Sequence, residues 1–223
     1  MLIRKHKIMK KIIVCFLFVL PGCGQIIYES PTSPFVTLGS SEGCQTWIYL
    51  CGLTQDFNSK KMNELKIIDT IGKECNVKIM AIIPQHRCAE YNYSLCWPHD
   101  NKNELLHTYQ EIINATNAQP IDGYIGFSNG GFFLIQLAQY ISLNKPIIVI
   151  GAAGKINNPQ GPHNTVDLLI GRQDQWHYEH VVDLYNQSKN TNLTINLIEY
   201  DGGHAMPINI LKEILLSKCL HIS

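Results

Sequence analysis

From Thr46 onward, short apolar runs alternate with segments whose apolar residues recur every three or four positions, and few architectures accept that order. "TWIYLCG" (46–52), "VKIMAIIP" (77–84), "IDGYIGF" (121–127), "PIIVIGA" (146–152), "TVDLLIG" (165–171) and "LTINLIEY" (193–200) read as strands. Segments 59–75, 102–116, 130–142, 175–189 and 207–219 read as helices, the first from the spacing of Met62, Leu65, Ile68 and Ile71. Residues 85–100 read as loop. Runs such as "PIIVI" lack polar alternation, so the sheet should be covered on both faces. Strand and helix in turn imply parallel strands with right-handed crossovers, and ligands then collect at the carboxyl ends of the strands.

The N-terminal region stands apart. Residues 1–22 hold Arg4, Lys5, Lys7, Lys10 and Lys11, no acid, and an apolar run over 12–20 followed by Pro21-Gly22-Cys23-Gly24. This is the pattern of an export signal, too short to span a bilayer comfortably. Leu20-Pro21-Gly22-Cys23 resembles a bacterial lipoprotein cleavage box, with Cys23 as the lipidated residue and a route to membrane attachment. Ordinary signal cleavage and a soluble periplasmic or secreted product is the alternative. The expected organisation is a signal over 1–22, a tether and edge segment over 23–45, and one α/β domain over 46–223. Pro31 and Pro34 limit any strand before Thr46 to a sheet edge.

Charge and cysteine usage agree with export. The chain has 18 basic and 18 acidic residues; without the five cations of the signal, 13 face 18, a formal net of −5, which argues against nucleic acid as partner. Six of the eight cysteines lie beyond Cys15 and Cys23, an even number suited to disulfides, and the short spacing favours Cys88–Cys96 as a local bridge. Cys-x-x-Cys pairs and finger-spaced His are missing from the sequence, so neither a zinc site nor any other metal or cofactor is expected.

One strand end carries chemistry. Gly126-Phe127-Ser128-Asn129-Gly130 joins strand 121–127 to helix 130–142. Between strand and helix, Gly-x-Ser-x-Gly holds a serine on a sharp bend with its hydroxyl raised above the sheet, and the two glycines remove side chains that would collide. A serine nucleophile needs a base, and the base an orienting acid. His204 follows the last strand in "YDGGHAMP", and Asp174 lies three residues past Gly171 at another strand end. Asp167, Asp183 and Asp201 are worse placed, and residues 151–166 hold no acid. Asp174 could also cap helix 175–189. Backbone donors for a developing oxyanion would be the amides of Asn129 and of Leu53, the latter in the loop after strand 46–52. Tyr91, Trp97, Phe127 and Trp176 are candidates to line the site, with core or rim packing the commoner role for each.

"YLCGLTQDF", "GFSNGG", "LLIGRQD" and "YDGGHAMP" occur in the order seen in the α/β-hydrolase superfamily, which the chain resembles from about Thr46 to its last helix. Its length is similar to that of cap-less carboxylesterases, dienelactone hydrolase-like proteins and polyester depolymerase-like esterases. The resemblance implies a reduced, mostly parallel sheet of about six to seven strands with helices on both faces and no cap domain. It implies a serine hydrolase of carboxylic esters or thioesters, with Ser128, Asp174 and His204 as triad, an acyl-enzyme, and a small acyl ester or lipid-like substrate. Two positions depart from the family: Cys51-Gly52 stands where His-Gly is common, and Ser128 where dienelactone hydrolases carry Cys. A binding protein of the cell envelope that keeps the fold without catalysis is the alternative.

Overall fold

The structure, a computed structural model, describes residues 35–54, 59–116 and 119–220. The expected signal, Cys23 and most of the tether lie outside the described residues. Among the described residues nine strands and five α-helices follow in chain order: β1 (Phe35–Gly39), β2 (Thr46–Leu50), α1 (Ser59–Glu74), β3 (Lys78–Ile82), β4 (His86–Cys88), β5 (Ser94–Cys96), α2 (Lys102–Ala115), β6 (Gly123–Phe127), α3 (Asn129–Ala138), β7 (Ile147–Ile150), β8 (Asn164–Gly171), α4 (Tyr178–Ser188), β9 (Leu193–Tyr200) and α5 (Ile208–Leu220).

Seven of the strands form one sheet in the order β1-β3-β2-β6-β7-β8-β9. Six run parallel, and β1 pairs antiparallel with β3 at the edge, Thr37 opposite Met80. The alternation of strand and helix therefore predicts the sheet correctly, including the seventh strand at its rim. Successive residues of one strand feed two separate cores, as the absence of polar alternation requires. Ile48, Leu50, Ile147 and Val149 pack with Phe133 and Leu137 of α3 and Leu184 of α4. Trp47, Tyr49, Ile148 and Ile150 pack with Leu65, Ile68 and Ile71 of α1 and Leu211 and Leu215 of α5. Each interior side chain so removed from water contributes roughly 1.5–3 kcal/mol.

Two segments differ from the sequence reading. Residues 85–100 are not simple loop: β4 and β5 pair antiparallel around a one-turn 3₁₀ helix, with His86 opposite Cys96. Strands of three residues carry too little periodicity to be read, and this hairpin is held by the Cys88–Cys96 disulfide instead. α3 stops at Ala138, four residues early, where Gln139 and Tyr140 turn back on the carbonyls of Gln136 and Leu137. The buried Asn164 secures that exit, accepting from the Leu143 amide at 3.0 Å and donating to the carbonyls of Ala138 and Ile141. After β7, residues 151–163 hold no helix, so no cap domain is built among the described residues. The remaining described cysteines, Cys44, Cys51, Cys75 and Cys219, are free thiols. Cys51 is enclosed in one core, where burial above all pushes its thiol up to about 12, against the lowering effect of Lys61.

Closing the Cys88–Cys96 loop, eight residues apart in sequence, restricts the unfolded chain by roughly 2–3 kcal/mol. The double variant Cys88→Ser/Cys96→Ser is expected to lose about that much stability in urea titration, and wild type with dithiothreitol to match it.

Candidate functional site

Ser128 sits between β6 and α3 with φ 52° and ψ −120°, a conformation that costs an L-residue about 1–3 kcal/mol. The bend survives because nothing occupies the space inside it. A Cβ on Gly126 would lie 2.6 Å from the Gly130 carbonyl oxygen and from Gly131 Cα. A Cβ on Gly130 would lie 2.3 Å from the Leu50 carbonyl oxygen, so the start of α3 is pressed against the end of β2. The bend is pinned by the Ser128 amide, which donates to the Ile150 carbonyl at 2.8 Å, and by the Ser128 carbonyl, which accepts from Phe132.

Asp174 and His204 arrive from loops that are tied together. Gln173 N donates to the Gly202 carbonyl at 2.8 Å, Arg172 N to the Tyr200 carbonyl, and the Tyr200 hydroxyl to the Ala205 carbonyl at 2.7 Å. The result is one hydrogen-bonded chain. Ser128 Oγ lies 3.0 Å from His204 Nε2, and His204 Nδ1 lies 2.7 Å from Asp174 Oδ2. The structure thus brings together the three residues named from the sequence, which are separated by up to 76 positions. Phe127 stacks on the His204 ring at 5.1 Å.

Asp174 is 2% exposed and saturated with donors. Its Oδ1 accepts from the amides of Trp176 and His177 at 3.2 Å each. It therefore caps the turn ahead of α4, whose own N-cap is His177. The same oxygen lies 3.0 Å from His177 Nδ1, and the His177 and His204 rings stack at 4.5 Å. Burial by itself would raise the Asp174 pKa; hydrogen bonds from His204 and His177, and the charge of both rings, outweigh it and hold the carboxyl below its ordinary value. His177 is the residue that sequence reading passed over, because it precedes the last strand. Its signal was the i, i+3 spacing from Asp174 across a helix-entry turn. Asp174, His177 and His204 each offer one ligand atom within 4.8 Å of the others, a set able to hold a metal ion only by taking the imidazole nitrogens from the carboxylate.

Leu53 and Asn129 face one pocket with Ser128. It has a volume of about 130 Å³, and Tyr91, Phe132, Ala152, Ala153 and His177 also line it. Gly52 lets the Leu53 loop pass close: a Cβ there would come 3.1 Å from Ser128 Cβ. A buried cluster supports this loop from beneath. Lys61 Nζ donates to the Gly52 carbonyl at 3.2 Å and to Glu64 at 2.8 Å, and Glu64 accepts from the Tyr49 hydroxyl at 2.5 Å. The candidate lining residues divide. Tyr91 lies on the pocket wall, and Trp176 is 82% exposed at the turn holding Asp174. Trp97 does not line the pocket over Ser128: it is buried, with its indole donating to the Cys51 carbonyl at 2.7 Å and its amide to Asn129 Oδ1 at 2.7 Å. A separate cavity of about 250 Å³ behind the hairpin, lined by Ile82, His86 and Ile112, does not reach Ser128.

The sequence matches no protein-family model and no curated protein. Solved structures do share its fold. A carboxylesterase from Mesorhizobium loti aligns with a TM-score of 0.64 at 12% identity over 81% of this chain and 93% of that one. Acyl-protein thioesterase 2 of Zea mays aligns at 0.59 and 15% identity over 84% and 99%. A Bacillus cereus carboxylesterase aligns at 0.56 and 12% over 82% and 93%. The architecture is the α/β-hydrolase fold, without a cap among the described residues.

The folded-state pKa of Asp174 lies below its unfolded value. Its ionised form therefore adds stability that is fully present above about pH 4 and is lost as pH falls through the lower folded value. Thermal unfolding between pH 7 and 2.5 should show Asp174→Asn with a shallower acid-side decline than wild type; parallel curves would contradict this.

Proposed function

We propose that the protein is a serine hydrolase of carboxylic esters or thioesters. The observation that carries this reading is the unbroken chain from Ser128 Oγ through His204 to Asp174, at 3.0 and 2.7 Å. It is further supported by the names of the fold neighbours, carboxylesterases and a thioesterase.

In this reading His204 Nε2 accepts the Ser128 proton as Oγ bonds to the acyl carbon. The carbonyl oxygen becomes an oxyanion, met by the amides of Leu53 and Asn129. Asp174, ionised and holding His204 Nδ1–H, stabilises the imidazolium. The bond to the leaving alcohol or thiol then breaks, and His204 returns the proton to that leaving atom. A water molecule, deprotonated by His204, attacks the acyl-enzyme; the acid departs and Ser128 recovers its proton. The helix α3 directs the positive end of its dipole at the reacting centre.

A fluorophosphonate probe is expected to label wild type at Ser128 and to leave folded Ser128→Ala unlabelled. Hydrolysis of p-nitrophenyl acetate should fall at least about 10³-fold in that variant. Folded wild type that neither labels nor turns over would replace the enzyme with a binding protein.

A further inference from the structure

Helix α1 turns Leu65, Ile68 and Ile71 into one core, and Lys61, one turn before Leu65, continues that stripe as a cation only 3% exposed. An ammonium in such a position is costly to desolvate unless it is bonded there. Its Nζ donates to Glu64, one turn on, at 2.8 Å, and to the Gly52 carbonyl at 3.2 Å. Glu64 accepts in turn from the Tyr49 hydroxyl at 2.5 Å. Burial first, and the Glu64 charge second, push the Tyr49 hydroxyl well above its ordinary range, so it remains a donor. Side chains from β2 and α1 are thereby assembled beneath one backbone carbonyl.

That carbonyl belongs to the peptide joining Gly52 to Leu53. A trans peptide is planar, with its C=O and N–H on opposite edges. Holding the Gly52 oxygen toward α1 therefore directs the Leu53 N–H the other way, to the side on which Gly52 passes Ser128 and Leu53 lines the pocket. Neighbouring groups fix the rest of the loop. The Cys51 carbonyl accepts from the Trp97 indole at 2.7 Å, and Thr54 pairs with Leu95 through its amide at 3.2 Å and its carbonyl at 2.7 Å. Among the described residues the Leu53 amide meets no acceptor, so it is available to a substrate oxygen.

The orientation of this peptide needs a restraint. Gly52, without a Cβ, hinders its rotation less than any other residue would. A flipped peptide would set the Gly52 oxygen, a second negative end, against the developing oxyanion.

We propose that Lys61 is a positioning residue for ester hydrolysis: by holding the Gly52 carbonyl from the core side, it keeps the Leu53 N–H directed at the acyl oxygen on which negative charge develops. The inference rests on the serine-hydrolase reading. Lys61 touches no substrate and moves no proton. Its charge-assisted bond also polarises the peptide, which strengthens the N–H as a donor. The effect is greatest once the oxyanion has formed, so it belongs to kcat rather than to KM.

The test measures hydrolysis of p-nitrophenyl acetate and inhibition by a trifluoromethyl ketone, which adds Ser128 and carries an oxyanion. Loss of one oxyanion donor costs about 10²–10³-fold in kcat; a misdirected one in Lys61→Met should cost about 10–100-fold, with KM changed less than about 3-fold. Inhibition by the ketone should weaken by a similar factor. Lys61→Met strands the Glu64 charge, so Lys61→Met/Glu64→Gln is measured beside it, each below its unfolding temperature. Replacing Leu53 by its α-hydroxy acid removes the N–H alone. In that background Lys61→Met should cost clearly less than in the amide background, because both changes act on one donor.

Folded Lys61 variants within about 2-fold of the wild-type kcat, in a protein whose Ser128 labels with fluorophosphonate, overturn the positioning role and leave the hydrolase reading standing. Equal losses in the amide and ester backgrounds overturn it too, and reduce Lys61 to a structural residue. Folded wild type that neither labels nor turns over sinks the hydrolase reading and this inference with it.

Discussion

The whole site depends on one contact, the start of α3 against the end of β2. Gly130 has the Leu50 carbonyl where a side chain would begin, and Gly126 has the Gly130 carbonyl. Only at that distance can the chain leave β6 and enter α3 without a connecting loop. The residue at the junction must then accept a positive φ, and Ser128 does so at 52°. The strain is repaid by the packing of α3 between β6 and β7, which buries nine of its ten residues. It also fixes the direction of the Ser128 Cα–Cβ bond, and His204 Nε2 lies 3.0 Å from the hydroxyl it carries.

Electrostatics completes what packing begins. A buried carboxylate is costly unless it is bonded, and Asp174 is bonded four times: by two backbone amides and two imidazoles. The amides belong to its own turn, so the carboxylate is held by local structure before His204 reaches it. His204 is then oriented by a group that is already rigid. The second imidazole, His177, lies against the acid and also lines the pocket over Ser128, so the same residue takes part in electrostatics and in shape.

Legibility in the sequence followed the range of the interactions. Ser128 was visible because its bend is local: five consecutive residues, with a strand before and a helix after, contain the full geometric requirement. Asp174 and His204 were visible through their positions just past strand ends, which a parallel sheet brings to one edge. Tyr49, Lys61 and Glu64 were not, because their role under the Gly52 loop arises only when β2 and α1 pack together. Trp97 was left open between site lining and packing for a related reason: its place in the core arises only when the β4–β5 hairpin brings its indole to the Cys51 carbonyl.

The sequence by itself determined the sheet, its two-sided burial and the placing of Ser128, Asp174 and His204 just past strand ends, because periodicity and strand-end position are properties of short segments. Tertiary structure alone decided the second imidazole on Asp174, the part-buried ion pair beneath the Leu53 loop, and the small pocket over Ser128. Those features are distances between residues remote in the chain, and such distances exist only once the helices have been pressed onto the sheet.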